Sequence, residues 1–356
     1  MKTEILKIDP INPGRAAIAQ AAGVIKNGGL VVFPTETVYG IGANAFDSKA
    51  CARIFDVKGR PSDNPLIVTV ASLEQAMSIG DIAKEYLTVI KKIWPCPLTV
   101  IVEAKTNLPK EVTAGLDTVA LRMPAHPVAL ELIIASGVPI AAPSANLSKG
   151  PTATNAQQAR RYFDGKIECI IDSGAAFFGI ESTIIDLRTF TVLRPGAFTV
   201  EELENAFCKK PKLGNVAKGF GHTDVAIAPG TKYAHYAPET KLFLYEEDVR
   251  HLVKLIETIE TPAFAFIGSD ESCAAMRVTG CQTIVLGKSE NLYEIAKNLY
   301  DSLIALDSTK VNFGIIEGFK EEGIGLAIMN RIRKASSHNS FHDRKGLESV
   351  LGELNR

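Results

Sequence analysis

The 356-residue chain has almost no net charge, few cysteines and no long apolar run, and each shortage removes a class of function. Its 39 basic and 40 acidic residues leave a formal charge of −1. Without a global field, recognition of phosphate has to come from local placement, which argues against a nonspecific DNA binder. The cysteines, Cys51, Cys96, Cys169, Cys208, Cys273 and Cys281, form no Cys-x-x-Cys pair, and a chain this long needs no disulfide staples. A reducing, cytoplasmic setting is expected. Lys2, Glu4, Lys7 and Asp9 interrupt the first ten residues, so no secretory core is read there, and no uncharged run is long enough to span a bilayer. The motif spellings of a P-loop, a G-x-S-x-G elbow and an H-E-x-x-H helix are missing too. The six histidines show no paired ligand spacing, so no protein-built metal site is expected.

What is present is an ordinary globular composition, 46% hydrophobic and 22% charged, over a length that calls for two domains. In the first two hundred residues, apolar periodicity predicts helices over 16–26, 51–57, most of 73–94, 128–136, 157–163 and 200–207. Strands are predicted over 30–33, 66–70, 98–104, 119–122, from 138 onward, 169–172, 182–187 and 191–193. Strands often follow one another directly, which points to a mixed sheet rather than a strict βαβ array. A first domain is therefore placed at 1–208.

Residues 209–240 are rich in Gly, Pro and Lys and carry five lysines against Asp224 and Glu239; composition alone reads them as a tether. From 241 to 340 the rhythm becomes regular. Strands at 242–245, 263–267, 283–286 and 312–317 alternate with helices at 248–257, 291–306 and 325–335, the pattern of a small Rossmann-like three-layer α/β domain with a largely parallel sheet. Residues 341–356 read as a loose tail.

Gly40-Ile-Gly42-Ala-Asn-Ala45 has the spelling of a dinucleotide fingerprint but not its context. Six residues, Pro34 to Tyr39, separate it from the strand that ends at Phe33, and no acidic residue closes a second strand about twenty positions later. The polar residues that punctuate the apolar strands carry more information. Lys58 and Arg60 lie on a Gly/Pro loop, two cations able to flank one phosphate or carboxylate or else a pair of solvated charges. Arg122, at the end of "TVALRMP", is either the partner of a buried acid or a fork for a ligand's carboxylate. Arg194 repeats that arrangement in "TVLRPG". Ser144 and Asn146 follow an apolar strand among small residues, Ser148 and Thr152 a Gly/Pro turn, and Ser182 and Thr183 begin another strand. No Ser, Cys or Lys stands at a diagnostic spacing from a base, so the chemistry implied is positioning of two substrates and charge stabilisation, as phosphoryl and nucleotidyl transfer require.

The segments "FPTETVYGIGANA", "KGRPSDNPLIV", "WPCPLTVIV", "TVALRMPAHP", "PIAAPSANLSKGPTAT", "FGIESTIID" and "LRPG" together resemble the L-threonylcarbamoyladenylate synthases with a YrdC-like catalytic domain. The segment "APGTKYAHYAP" and the α/β stretch C-terminal to it are similar to their longer, two-domain members. The resemblance implies an α/β fold, a YrdC-like twisted mixed sheet followed by the small α/β domain. It also implies a reaction: L-threonine, bicarbonate and ATP give threonylcarbamoyl-AMP and pyrophosphate, and a separate transferase complex passes the group to adenosine 37 of tRNA. Carried over by position, Thr35, Arg122, Ala142 and Ser182 are expected around threonine. Lys58 and Arg60 are expected as catalytic cations on the phosphates. Ser62, Thr118, Ser144, Asn146, Thr152 and Arg194 are expected around the nucleotide, with Tyr233 and His235 of the 209–240 segment folding back as a lid. Magnesium is expected with ATP rather than in a protein cage, no membrane is implied, and tRNA binding is not required. Where many relatives carry histidine after "NPLIV", this chain has Thr69, so any role of that imidazole is in doubt here. Two other readings stand beside this one. One is a double-stranded RNA-binding module, although residues 1–208 hold 20 basic and 21 acidic residues. The other is a carbamoyl-phosphate-using domain, for which the expected zinc-finger cysteines are missing.

Overall fold

The computed structural model describes residues 2–221, 226–228, 236–259 and 261–354. Two compact units emerge, one built mainly from 1–217 and the other mainly from 234–356.

The first unit is organised by a 12-stranded mixed sheet among the described residues. From one edge the order is Glu4–Lys7, Cys169–Asp172, Val31–Phe33, Gly40–Asn44, Ile140–Ala141, Ile67–Thr69, Thr118–Arg122, Leu98–Ala104, Thr183–Asp186, Thr191–Arg194 and Lys212–Leu213. Gly80–Asp81 pairs with Leu98–Ala104 off this path. The expected mixture is therefore present, with Val31–Phe33 antiparallel to Gly40–Asn44 and Ile67–Thr69 parallel to Thr118–Arg122.

Strand alternation divides the residues between two faces. On one face Val68, Val100, Val102, Val119 and Leu121 join the main core with Cys51, Ile54 and Phe55 of the Ser48–Lys58 helix and Ile90 of the Lys84–Ile93 helix. On the other, the half of the sheet holding Val31, Phe33, Ile140, Cys169 and Ile171 is covered by helices Arg15–Lys26 and Pro127–Ser136. Among the described residues, the remaining half of that second face has no such helix in its core. Its apolar residues Ile67, Ile101, Ala120 and Ile184 cluster instead with Ala228, from the segment that composition reads as a tether.

The predicted 73–94 helix is broken: Leu73–Ile79 stops, Gly80–Asp81 forms a short strand, and Lys84–Ile93 begins after it. A side chain cannot fit at Gly80, where a Cβ would lie 2.5 Å from Val102 and 2.9 Å from Leu121. Gly40–Asn44 is a strand, so the glycine pair lies inside a sheet and not in a strand-to-helix turn. Gly42 is required there because a Cβ would meet Ile140 at 2.5 Å and Phe33 at 2.8 Å.

The second unit holds a 5-stranded sheet, in the order Gln282–Gly287, Phe264–Ser269, Phe313–Glu317, Leu242–Tyr245, Ser340–Phe341, with every pairing parallel. Helices cover both faces. Leu252, Cys273, Met276 and Leu347 pack with Phe243, Phe266, Phe313 and Phe341 on one side. The Leu292–Leu306 and Gly325–Ala335 helices pack against the strands as well, burying Leu299, Leu303 and Ile328 completely. The expected loose tail is a correction. Ser340–Phe341 adds a strand and Arg344–Leu354 a helix, held because Leu347 and Val350 are buried in the phenylalanine core.

Candidate functional site

The half-face without a covering core helix carries several of the polar residues singled out in the sequence. Thr69 stands opposite Arg122 in one ladder and Thr99 opposite Arg122 in the next, so alternation puts all three on the face of Ile67, Ile101 and Ala120. Thr118 is on the same face of Arg122's own strand, roughly 13 Å away at about 3.3 Å per residue. Ser182 continues the row: its hydroxyl lies 2.8 Å from that of Thr99.

Arg194 reaches this face through an irregularity. Ile185 pairs with Val192 but Ile184 pairs with Arg194, so Leu193 is an extra residue in the ladder. Without that bulge Arg194 would share the helix-covered side with Val192. With it, the guanidinium donates to the Ser182 carbonyl at 2.9 and 3.1 Å and to the Ser182 hydroxyl at 3.2 Å. Gly196, just beyond, allows the close approach, since a Cβ there would lie 2.3 Å from the Glu181 carbonyl oxygen.

The loop after Phe33 is buried and internally bonded. Thr35 Oγ1 donates to the Val38 carbonyl at 2.6 Å, lies 2.8 Å from Thr37 Oγ1 and accepts from the Thr37 and Val38 amides. This loop lays Glu36 against Arg122, with 2.7 Å between Oε1 and Nη2 and both side chains more than nine-tenths buried. Of the two readings of Arg122 named from the sequence, the structure shows the first: a buried acid is its partner. The distance is that of a strong ion pair, yet the hydrogens are not aligned, and both Glu36 oxygens and Arg122 Nε and Nη2 lack a hydrogen bond. Buried charged atoms in that condition are costly, and a ligand that completes them gains what they lack.

Lys58 ends the Ser48–Lys58 helix, which stops because Gly59 takes the left-handed conformation at φ 58°. Its ammonium donates to the Ser144 carbonyl at 2.6 Å and also to the Asn146 carbonyl. Burial, reinforced by Arg60, holds the Lys58 ammonium well below the usual lysine range. Arg60 ties its own loop, donating to the carbonyls of Asn64 and Pro65, and Ser62 is exposed beside it. Ser144 Oγ donates to Asn146 Oδ1 at 2.6 Å, and a bridge from Gly40 to Ser144 joins this segment to the threonine-rich loop. The Ala142 amide donates to the Ile67 carbonyl at 2.8 Å, and Thr152 donates to Glu181 at 3.0 Å. Tyr233 and His235 lie outside the described residues.

Hydrogen bonds and ion pairs thus form four groups: Lys58 with Ser144 and Asn146, Thr99 with Ser182 and Arg194, Glu36 with Arg122, and Thr152 with Glu181. Sequence reasoning missed Glu36, Thr99, His126 and Glu181. Thr99 carried a signal, being the one hydroxyl in the strand Leu98–Ala104. Glu36 sits in the quoted "PTET" but its partner is 86 positions away. Thr69, which stands where many relatives carry histidine, donates its hydroxyl to the Ile140 carbonyl at 2.8 Å.

Beside the ion pair is a cavity of about 600 Å³ lined by Glu36, Cys96, His126, Ser173 and Phe178 among others. His126 caps the Pro127–Ser136 helix by accepting from the Val128 amide at Nδ1. Burial lowers its proton affinity, partly countered by Glu36. Burial also pushes the Cys96 thiol up to about 12, so it is no thiolate nucleophile. Among the described residues, no three His, Cys, Asp or Glu side chains converge on a metal position, and no helix is long and apolar enough to cross a membrane.

Arginines and hydroxyls on one apolar sheet face, with a buried lysine at a helix end, make an α/β site whose donors suit carboxylate and phosphate groups. Residues 23–196 match the family profile described as "Telomere recombination", and 198–337 the one described as "Threonylcarbamoyl-AMP synthase, C-terminal domain". The threonylcarbamoyl-AMP synthase of Pyrococcus abyssi is 44% identical over 327 residues, 89% of this chain and 93% of that one. That of Bacillus subtilis is 41% identical over 340 residues, 92% and 95% of the two chains. The crystal structure of P. abyssi Sua5 complexed with L-threonine superposes with a TM-score of 0.88 at 42% identity, covering 96% of this chain and all of that one. A variant of the same protein, with an adjacent histidine and tyrosine both replaced by alanine, gives 0.86 at 41% identity, covering 96% and 99%. The chain belongs to the threonylcarbamoyl-AMP synthase family.

Proposed function

We propose that the chain converts L-threonine, bicarbonate and ATP into threonylcarbamoyl-AMP and pyrophosphate. The observation that carries this reading is the row of Arg122, Thr99, Ser182 and Arg194 on a sheet face with an apolar floor of Ile67, Ile101, Ala120 and Ile184. Arg122 would take the threonine carboxylate, supported by Ser182, Thr35 and the Ala142 backbone. Thr118, Ser144, Asn146, Thr152 and Arg194 would surround the nucleotide, with Ser62 nearby, and Lys58 and Arg60 would neutralise its phosphates. The threonine amine attacks the bicarbonate carbon and a C–O bond breaks with loss of water to give the carbamate, whose oxygen then attacks the α-phosphorus as the bond to pyrophosphate breaks. Such a sequence needs positioning and charge neutralisation but no covalent nucleophile. Mg2+ would arrive on ATP, held by phosphate oxygens and water.

The segment around Ala228 would act as a lid that excludes water from a hydrolysable product. Ala226 and Ala228 are 3% and 1% exposed, and Ala228 packs on the apolar floor. The product would pass to a separate tRNA threonylcarbamoyl transferase complex in the cytoplasm.

Mass spectrometry of the product formed from ATP, threonine and labelled bicarbonate tests this directly. The label should appear in an AMP-bearing product, with pyrophosphate released only when both threonine and bicarbonate are present. Equal pyrophosphate release without threonine would defeat the proposal. The double-stranded RNA reading would instead require RNA affinity that falls steeply with salt.

A further inference from the structure

We propose that Glu36 is a substrate-recognition residue that exchanges ion-pair partners: it holds Arg122 in the free protein and takes the ammonium of the incoming amino acid once the substrate carboxylate has claimed Arg122. Such an exchange rests on the assignment of Arg122 to the threonine carboxylate.

Three observations carry it. First, Glu36 and Arg122 are paired by distance, 2.7 Å, yet neither is completed by hydrogen bonds: both carboxylate oxygens and the Nε and Nη2 of the guanidinium have none. A structural ion pair at this depth normally has its remaining donors and acceptors filled, because unfilled ones are heavily penalised. A zwitterion supplies the two missing counterparts, a carboxylate for the guanidinium fork and an ammonium for the carboxylate. Second, Glu36 has room to move, since it lines the cavity of about 600 Å³ beside the pair. Third, its backbone is fixed. The Glu36 carbonyl accepts from the Phe178 amide at 2.9 Å, and the neighbouring Thr35 and Thr37 are locked by their hydroxyl contacts. An exchange therefore needs only side-chain rotation.

The exchange has a chemical use in this reaction. Carbamate formation requires the substrate to present its amine, and a carboxylate that recognises that ammonium ranks amino acids above carboxylic acids of the same shape. In the free protein the same carboxylate neutralises Arg122, so the pocket avoids an isolated buried charge.

The test compares L-threonine with the 3-hydroxybutanoate that keeps threonine's hydroxyl configuration and carboxylate but has no amine. Binding of each is measured by calorimetry on the full chain and on Glu36→Gln. The wild-type protein should prefer threonine by about tenfold or more, the range expected for a hydrogen-bonded charge. Glu36→Gln should weaken threonine by about that factor and leave 3-hydroxybutanoate unchanged or tighter. A wild-type protein that binds both equally, or a variant that loses or gains affinity for both alike, overturns the exchange. If Glu36→Gln does not fold, Glu36→Asp carries the comparison: a preference reduced relative to wild type supports the exchange, and an unaltered one overturns it. Failure of wild-type protein to bind threonine at all would strike the functional reading itself, and is distinguished by that arm alone.

Discussion

The two sheets of this chain differ in whether their strands carry arginine. In the second unit all strands run parallel, helices cover both faces, and the middle of the sheet is phenylalanine and isoleucine. In the first, directions are mixed and one half-face is left for Thr69, Thr99, Arg122, Ser182 and Arg194 over a small apolar floor. Parallel sheets have to be buried on both sides, which leaves no face free for a ligand. The mixed sheet escapes that constraint locally, and the residues that would be errors in a core become a binding surface.

The strongest way to break this contrast is to remove Arg122. Arg122→Ala should abolish measurable threonine binding and lower stability by about 3–5 kcal/mol, because Glu36 is left buried without a counter-charge. Exchanging the whole pair, Glu36→Leu with Arg122→Met, should restore most of the stability in a urea melt while threonine binding stays lost. If the double exchange stays as unstable as the single one, the pair has a structural role the contrast does not allow.

Phe266→Ala is the matching change in the second sheet. It should cost about 3–5 kcal/mol in the unfolding of that unit and leave threonine affinity unchanged. A loss of affinity would show that the second sheet shapes the site.

Lys58 provides a pH-dependent test. Its folded-state affinity for a proton lies below that of an unfolded lysine, near 10.4, so the unfolded chain binds more protons in the window beneath that value. Stability should therefore rise as pH climbs through the window. Phosphate binding restores the charged form, so nucleotide binding inside the window should take up a proton. Calorimetry in two buffers of different ionisation enthalpy measures the uptake, and Lys58→Arg should lack it.

Thr69→Val should have the smallest effect, about 1 kcal/mol of stability through the lost bond to the Ile140 carbonyl, with turnover nearly unchanged. A large loss of turnover would assign Thr69 a direct part in the reaction.

Much of this organisation was legible in the sequence, for reasons that differ by region. The second unit's parallel sheet reads directly from its alternating rhythm, and Leu242–Tyr245 and Gly325–Ala335 fall where periodicity puts them. Leu98–Ala104 does the same in the first unit. Gly40–Asn44 and Gly80–Asp81 were not readable as strands, because glycines there answer to neighbours such as Ile140 and Val102 that are distant in sequence. Ser340–Phe341 and the Arg344–Leu354 helix were hidden by mixed charge around only a few apolar anchors, Phe341, Leu347 and Val350. Arg122 and Ser182 stood out as polar residues at the ends of apolar strands. Glu36 did not, since a carboxylate in a loop looks solvated until its distant partner is known.

The extra residue at Leu193 gives the Thr191–Arg194 strand an unusual kind of vulnerability. Here the guanidinium is aimed by a pairing rather than by an identity. Deleting that one residue would restore plain alternation with the cation still opposite Ile184, whereas losing the irregular pairing at an unchanged residue count would turn it to the greasy side beside Val192. Swapping Leu193 for another side chain would be mild by comparison. In this protein, then, the irregular pairing of an unremarkable strand matters more to the aim of the cation than the side chain it leaves over.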